Sequence, residues 1–122
     1  KGMVSWDLAM SKDGTQMWVA ASKAGDSQST IFHSKDGGKN WAEMKDVPQI
    51  GVSQINIVET KGEPIVIIGS WRDGVHIYEK GKWAQDESVK FSTIAEILVN
   101  DENIVVGSWG NGVFTIPNKW KK

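Results

Sequence analysis

Short apolar segments separated by turns rich in glycine and aspartate recur along the whole chain. The segment from Val52 to Val58 is strand-like, with alternating apolar positions. Pro64 to Ile68 is apolar throughout, which is typical of a strand covered on both faces. Val75 to Tyr78 and the segment beginning at Trp83 predict a third and a fourth strand. Apart from an ambiguous stretch from Ile94 to Val99, no segment has a helical period, so the pattern predicts an all-β fold.

A repeat groups these strands into units. The pattern Gly-Ser-Trp-x-x-Gly-Val occurs at Gly69–Val75 and again at Gly107–Val113, about 40 residues later. A second marker ends in tryptophan and reads Lys39-Asn40-Trp41, Gly81-Lys82-Trp83 and Asn118-Lys119-Trp120. The spacing predicts a single domain of three units with four strands each, over residues of about 1–46, 47–87 and 88–122.

Composition narrows the classes of function. The chain has 122 residues, of which 39% are hydrophobic and 24% charged, as in a globular domain. A net charge of -1 does not favour nucleic acid as a partner, since such proteins carry a strong positive balance. No apolar run reaches about 18 residues, so no membrane span is expected. Cysteine is absent, which excludes disulfides and thiol chemistry, and the seven tryptophans are an unusual excess.

The segment from Ser34 to Trp41 reads Ser-Lys-Asp-Gly-Gly-Lys-Asn-Trp. It resembles the Asp box, Ser-x-Asp-x-Gly-x-x-Trp, of the BNR or sialidase-type family of β-propellers. The resemblance implies a propeller whose Asp box joins the third and fourth strands on the face away from the ligand. Asp36 is expected to accept backbone N–H groups in its own turn, and Trp41 to fold back as an apolar plug between strands. Ser34, Asp36, Gly38 and Trp41 are therefore predicted to be structural.

A similar sequence, Ser11-Lys12-Asp13-Gly14, is followed by a displaced tryptophan at position 18, and it predicts an ordinary hairpin turn.

The residues argue against catalysis by this chain alone. Sialidases hold the substrate carboxylate with three arginines and use a tyrosine nucleophile, whereas this chain has one arginine, Arg72, and one tyrosine, Tyr78. No pair of carboxylates stands out as a glycosidase pair. His33 and His76 are interpreted as residues of third strands, since further metal ligands at suitable spacing are missing. We therefore predict no catalytic residue, no cofactor and no metal site.

The family resemblance implies that ligands meet the loops that join the second and third strands, on the face opposite the Asp box. Tryptophan planes beside polar groups suit a sugar, and they would also grip an extended peptide. The alternative is that these tryptophans fill space between blades and that their polar neighbours are turn residues. A long loop, Lys23–Ser29, lies on the same face. The predicted ligand-binding residues are Trp6, Asp7, Trp71, Arg72, Asp73, Trp109 and Asn111.

Three blades are too few for a closed ring, because propellers carry about four to eight. They leave an apolar face uncovered at each end. A homodimer related by a two-fold axis would give six blades and cover both faces. The alternative is that the missing blades belong to a longer chain. The size, repeat and tryptophan content are similar to those of small lectins built from a few blades per chain, although the Arg or Glu that fucose-binding members repeat in every blade is missing.

The function that these observations favour is a non-catalytic binding module for a carbohydrate or an extended peptide. One alternative is a piece of a larger glycoside hydrolase whose catalytic groups lie elsewhere. Another is a scaffold that binds a protein, like the Asp-box proteins that help to assemble membrane complexes. The resemblance slightly favours a secreted or periplasmic location.

Overall fold

The computed structural model describes residues 2–90 and 92–120, and the fold of these residues is all-β. No helix in this part of the chain is long and apolar enough to cross a membrane. The strands form three antiparallel sheets, two with four strands and one with three. The first sheet consists of β1 (Met3–Met10), β2 (Met17–Lys23), β3 (Thr30–Ser34) and β4 (Ala42–Glu43). The second consists of β5 (Val52–Val58), β6 (Ile65–Ser70), β7 (Val75–Glu79) and β8 (Lys82–Gln85). The third consists of β9 (Ile94–Val99), β10 (Asn103–Ser108) and β11 (Val113–Pro117).

The second sheet confirms the strands predicted from its pattern. The alternating segment is β5, and the continuous apolar run becomes β6, in which every residue is buried. The two shorter predicted strands are β7 and β8. The ambiguous stretch at Ile94–Val99 is also a strand, β9. Sheet order follows chain order in the first two sheets, so each is a simple meander of hairpins.

The third sheet has three strands among the residues that the structure describes, and the fourth strand predicted at Trp120 would continue into residues 121–122, which lie outside them. After β11 ends at Pro117, the backbone N–H of Asn118 donates to the carbonyl of Glu102 at 3.0 Å. The Asn118 amide also donates to the carbonyl of Asn100 at 2.7 Å. These bonds tie the segment to the β9–β10 turn, and Trp120 itself lies in a turn. Its indole N–H donates to Glu79 of the second sheet at 2.7 Å.

The core lies on both faces of the second sheet. One face, which includes Ile68, packs against Trp18 and Ile31 of the first sheet. The other face, which includes Ile67, packs against Ile104 of the third sheet. All five side chains are buried, and each contributes about 1.5–3 kcal/mol on leaving water.

The first strands of the three sheets lie side by side, with β5 between β1 and β9. Polar bonds join these strands across the two junctions. The carboxylate of Asp7 accepts the backbone N–H of Ile55 at 2.9 Å, from the first sheet to the second. The Asn56 amide donates to the carbonyl of Ile97 at 2.9 Å, from the second sheet to the third. Because these bonds satisfy backbone groups between sheets, they fix the relative register of the sheets as well as their spacing.

Each of these first strands also contains one irregularity in its pairing with the second strand of its sheet. In the first sheet the register shifts between Ser5 and Asp7, which leaves Trp6 as the extra residue. In the second sheet it shifts between Val52 and Gln54. In the third sheet the shift lies beside Gly107. Such a bulge turns the following side chains to the other face of the sheet.

Substituting Gly69 by alanine is expected to destabilise the fold by about 1–3 kcal/mol. A Cβ atom at position 69 would overlap the side chain of Ile94, which is fully buried and cannot move aside. Urea denaturation followed by circular dichroism would measure the loss. Gly62→Ala is the matched control, because the nearest atom to a Cβ there lies at 4.0 Å. Equal midpoints for the two variants would contradict the close approach of the second and third sheets at Gly69.

Candidate functional site

The Asp box forms a closed network of hydrogen bonds in the turn between β3 and β4. The Ser34 hydroxyl donates to Asp36 Oδ1 at 2.9 Å and accepts the backbone N–H of Gly38 at 2.9 Å. Asp36 also accepts the backbone N–H and the side-chain amide of Asn40, at 2.9 and 2.7 Å. The predicted role of Asp36 as an acceptor in its own turn is therefore confirmed.

Trp41 does not plug the space between strands, which corrects that expectation. Its side chain is 42% exposed, and its indole N–H donates to the carbonyl of Gly38 at 2.9 Å. It folds over the turn itself because β4, which follows directly, has only two residues and offers little surface to pack on. Gly38 accommodates this contact at φ 94°, a left-handed conformation that favours glycine.

The turn between β1 and β2 uses the same local chemistry at the same end of the first sheet. The Ser11 hydroxyl donates to Asp13 Oδ1 at 2.8 Å, and Asp13 accepts the backbone N–H of Thr15 at 3.0 Å. The predicted hairpin is confirmed. The two turns touch, because the N–H of Gly37 donates to the carbonyl of Thr15 at 2.9 Å. The loop that joins β2 and β3 lies at the opposite end of the sheet.

The repeated Gly-Ser-Trp-x-x-Gly pattern is a loop-closing device. In the second sheet the backbone N–H and the hydroxyl of Ser70 both donate to the carbonyl of Gly74, each at 3.0 Å. In the third sheet Ser108 makes the same two bonds to Gly112, at 2.9 and 2.8 Å. The serine and glycine of the pattern hold a tight loop, and this leaves the residues between them, including the tryptophan, at the surface.

A cleft of about 620 Å³ lies between the first and second sheets, at the end that carries the 24–29 loop and the Ser70–Gly74 loop. Its volume falls in the range of about 300–1,000 Å³ that is usual for small-molecule sites. The first sheet contributes residues from β1, β2 and the 24–29 loop, and the second sheet contributes the segments before β5 and after β6. The lining residues are Trp6, Ser22, Asp26, Ser27, Gln28, Ser29, Gln49, Ile50, Gly51, Ser70, Trp71, Arg72 and Asp73.

Two tryptophans from different sheets meet in this cleft. The rings of Trp6 and Trp71 have centroids 5.6 Å apart and planes 79° apart, an edge-to-face contact. They are 43% and 42% exposed and both line the cleft, so part of each residue is accessible there. The Trp6 indole N–H donates to the Ser22 hydroxyl at 2.8 Å, which fixes the ring of Trp6.

The backbone around Trp71 is held by the segment before β5 of its own sheet and by the segment before β9 of the third sheet. Its N–H donates to the carbonyl of Gly51 at 3.0 Å, and its carbonyl accepts the hydroxyl of Thr93. The loop opposite is anchored as well, since the Ser29 hydroxyl accepts the backbone N–H of Val52 at 2.8 Å. The walls of the cleft are therefore connected to the strands by hydrogen bonds.

The seven predicted ligand residues divide into two sets. Trp6, Trp71, Arg72 and Asp73 line the one cleft. The other three, Asp7, Trp109 and Asn111, do not line it. The Asp7 carboxylate accepts the N–H of Ile55 between sheets, as described above.

Trp109 and Asn111 belong to the corresponding loop of the third sheet. Trp109 is 70% exposed, and its backbone N–H donates to the carbonyl of Thr93 at 2.9 Å. The Asn111 amide donates to the Ser92 hydroxyl at 3.0 Å.

Gly51 is a cleft residue that the sequence interpretation missed. A Cβ atom there would lie 2.8 Å from the carbonyl oxygen of Ser27 and 2.9 Å from Cδ1 of Trp71. Only glycine lets the long loop and the Trp71 ring approach the same point. A glycine directly before a predicted strand was the available signal. The signal was weak because Ser27 and Trp71, the residues that crowd Gly51, are distant in sequence.

Charged groups of both signs surround the tryptophans. Arg72 is exposed, and Asp26 accepts the backbone N–H of Gln28 at 3.0 Å within its own loop. Asp73 Oδ2 lies 3.6 Å from Nε2 of His76, which is too long for a hydrogen bond. In residues 2–90 and 92–120, no group of three or more His, Asp or Glu side chains is arranged to hold a metal ion.

His33 and His76 lie in β3 and β7, in agreement with their interpretation as residues of third strands. Burial lowers the pKa of His76 from its ordinary value of 6.5, and the Asp73 carboxylate partly opposes this effect. Burial, followed by the nearby Lys35 charge, likewise lowers the pKa of His33. The folded state therefore favours the neutral imidazoles, and it loses stability as pH falls below 6.5 towards the folded pKa values.

The pKa of the His76 imidazole is expected to lie below 6.5. It should be lower still in an Asp73→Asn variant, because that change removes the carboxylate that raises this pKa. An NMR titration of the imidazole C–H signals measures both histidines in one sample. His33 is the internal control, and its titration should not change in the variant. A rise in the pKa of His76 on Asp73→Asn would show that the carboxylate does not act on it.

Asp36→Ala is expected to lower the melting temperature by several degrees at pH 7. The N–H and amide of Asn40 and the hydroxyl of Ser34 lower the pKa of Asp36 from 3.8 to about 2. This stabilisation is complete above 3.8 and is lost as pH falls through about 2, so the wild type and variant should converge there.

Thermal unfolding by circular dichroism from pH 7 to pH 2 would measure this, with exposed Asp101→Ala as the control. A difference between wild type and Asp36→Ala that does not depend on pH would contradict a role for the ionised carboxylate.

No protein-family model matches the chain, and no curated protein matches it either. Among solved structures, the chain is similar to the crystal structure of Kluyvelomyces marxianus Hsv2, with 16% sequence identity and a TM-score of 0.49. The comparison covers 97% of this chain and 35% of that one, so the chain spans about a third of the length of the solved protein.

Proposed function

We propose that the three sheets are blades of a β-propeller and that the chain is a non-catalytic binding module for a carbohydrate. The arrangement of the sheets supports the first part. Three antiparallel meanders stack face to face, and their first strands β1, β5 and β9 lie side by side, as the inner strands of blades do around an axis. The Asp-box turn, with its full set of internal bonds, is consistent with the family resemblance.

The observation that carries the binding proposal is the pair of half-exposed tryptophans in the cleft between the first two sheets. An indole plane is apolar and flat, and the C–H face of a pyranose is apolar as well, so stacking removes both from water. The edge-to-face angle of 79° between Trp6 and Trp71 places two such planes at a corner. A corner of this kind suits a sugar ring that contacts one plane with its face and the other with its edge.

The polar rim of the cleft suits the hydroxyl groups of the same ligand. Arg72 supplies donors, while the carboxylates of Asp26 and Asp73 supply acceptors. One arginine beside two carboxylates does not create the strongly positive site that an acidic sugar would need. We therefore propose a neutral saccharide as the ligand.

Preorganisation strengthens the proposal. Trp6 is fixed by its bond to Ser22, and the backbone of Trp71 is held by Gly51 and Thr93. Side chains that are already ordered lose little entropy when a ligand binds, so more of the contact energy contributes to affinity.

Trp71→Ala is expected to weaken saccharide binding roughly tenfold or more, because it removes one stacking plane. Isothermal titration calorimetry with a panel of neutral mono- and oligosaccharides would measure the affinity. Trp41→Ala is the matched control, since Trp41 has the same exposure, 42%, but lies on the Asp-box turn at the other end of the first sheet. It should leave the affinity unchanged.

The outcomes separate the saccharide proposal from the peptide and hydrolase alternatives. Equal losses in the two variants, or no binding by any saccharide, would overturn the proposal. Binding of extended peptides that Trp71→Ala abolishes would assign the cleft to a peptide instead. Turnover of a chromogenic glycoside would favour the hydrolase alternative.

A further inference from the structure

The two end sheets expose apolar faces that have buried counterparts elsewhere in the chain. The first-sheet outer face is formed by Leu8, Met10, Met17, Val19 and Phe32, and the third-sheet outer face by Glu96, Leu98, Val105, Val113 and Thr115. Leu8 and Met10 are 65% and 57% exposed, and Leu98 and Val113 are 58% and 71% exposed. Exposed apolar side chains grouped on one face of a sheet are typical of an interaction site.

The irregularities in β1, β5 and β9 give a common reference for comparing the sheets. The first residue pairs beyond them are Asp7 with Ala20, Gln54 with Gly69, and Glu96 with Gly107. Counting onward from these pairs, Leu8 corresponds to Ile55 and to Ile97. Ile55 is 4% exposed and Ile97 is 3% exposed, whereas Leu8 is largely exposed.

The same two faces meet at both internal junctions. Between the first and second sheets, Trp18 packs against the face that contains Ile55. Between the second and third sheets, Ile67, which corresponds to Trp18, packs against the face that contains Ile97. One face of each kind is therefore left over, namely the first-sheet outer face and the third-sheet outer face. They correspond in position to faces that already fit together twice within the chain.

We propose that a second copy of this chain stacks its first-sheet outer face on the third-sheet outer face of the first copy, and the reverse. The two copies then close a ring of six sheets through two equal junctions. This inference rests on the propeller arrangement proposed above. A second copy fits better than an unrelated partner, because each leftover face repeats the positions that pack at the internal junctions.

Glu96 provides an independent reason. It corresponds to Asp7, whose carboxylate accepts the N–H of Ile55 across the first junction at 2.9 Å. Glu96 is the only charged residue of the third-sheet outer face as defined above, and it is exposed. In the proposed dimer its carboxylate faces the backbone N–H of Leu8 in the second copy, the counterpart of the Ile55 N–H. The Glu96 carboxylate therefore occupies the position at which the junction of the first and second sheets has the Asp7 carboxylate.

The molar mass of the chain in solution is the first test, measured by light scattering on a sizing column. The expected result is a species of twice the 13.5 kDa chain mass whose mass does not rise with concentration. A stable monomer would overturn the proposal, and so would a mass that grows with concentration, since that indicates open stacking. A monomer that still binds a saccharide in the Trp6–Trp71 cleft would overturn only the dimer and leave the proposed function intact.

Paired charge variants test which faces meet. Leu8→Lys and Leu98→Glu should each be monomeric, because each places an unpaired charge in both junctions of a homodimer. A mixture of the two should form a dimer again, since one junction is then native and the other pairs lysine with glutamate. Lys61→Glu, in an exposed turn outside both faces, is the control and should remain dimeric.

Both substituted leucines are exposed, so the variants are expected to fold, and circular dichroism would verify this. Dimers formed by either variant alone, or no recovery on mixing folded variants, would overturn the proposed stacking of the first sheet on the third.

Discussion

The second sheet is buried from both sides, and the rest of the molecule is arranged around that fact. Neighbouring residues of β6, such as Ile67 and Ile68, point in opposite directions and are both fully shielded from water. A strand apolar at every position has no face to offer the solvent, so it requires a sheet on each side. The first and third sheets supply these covers, and each is itself covered on one face only. The stability of the end sheets therefore depends on the middle one.

This dependence also creates the candidate site. No single sheet could form the cleft, because its two tryptophans come from different sheets. They approach each other only when the two sheets pack through Trp18 and Ile68. Packing at the core thus sets the distance between Trp6 and Trp71 at the surface. The local hydrogen bonds of the loops then fix the orientation of the side chains. A substitution in the core of this junction would therefore change the distance between the two tryptophans even if every cleft residue were kept.

Local pattern was sufficient to predict most of the strands, since alternation and turn residues act over a few positions. The Asp-box turn was predictable for the same reason, because its partners lie within Ser34–Asn40. The role of Asp7 was not predictable, since its partner Ile55 is far away in sequence and belongs to another sheet. The exposure of Trp41 depended on the length of β4, and the pattern alone does not fix the length of so short a strand.

The bulges near the loop end of β1, β5 and β9 separate two regions with different requirements. After each bulge, the alternation of side chains follows the faces that pack in the core. Before the bulge, the extra residue shifts the alternation by one position. Residues at the loop end, such as Trp6, therefore do not follow the alternation between faces that holds in the rest of the strand. The loop end can accept new side chains without disturbing the core pattern. The side chains at the loop end of the sheets could therefore be substituted one sheet at a time while the core pattern is kept.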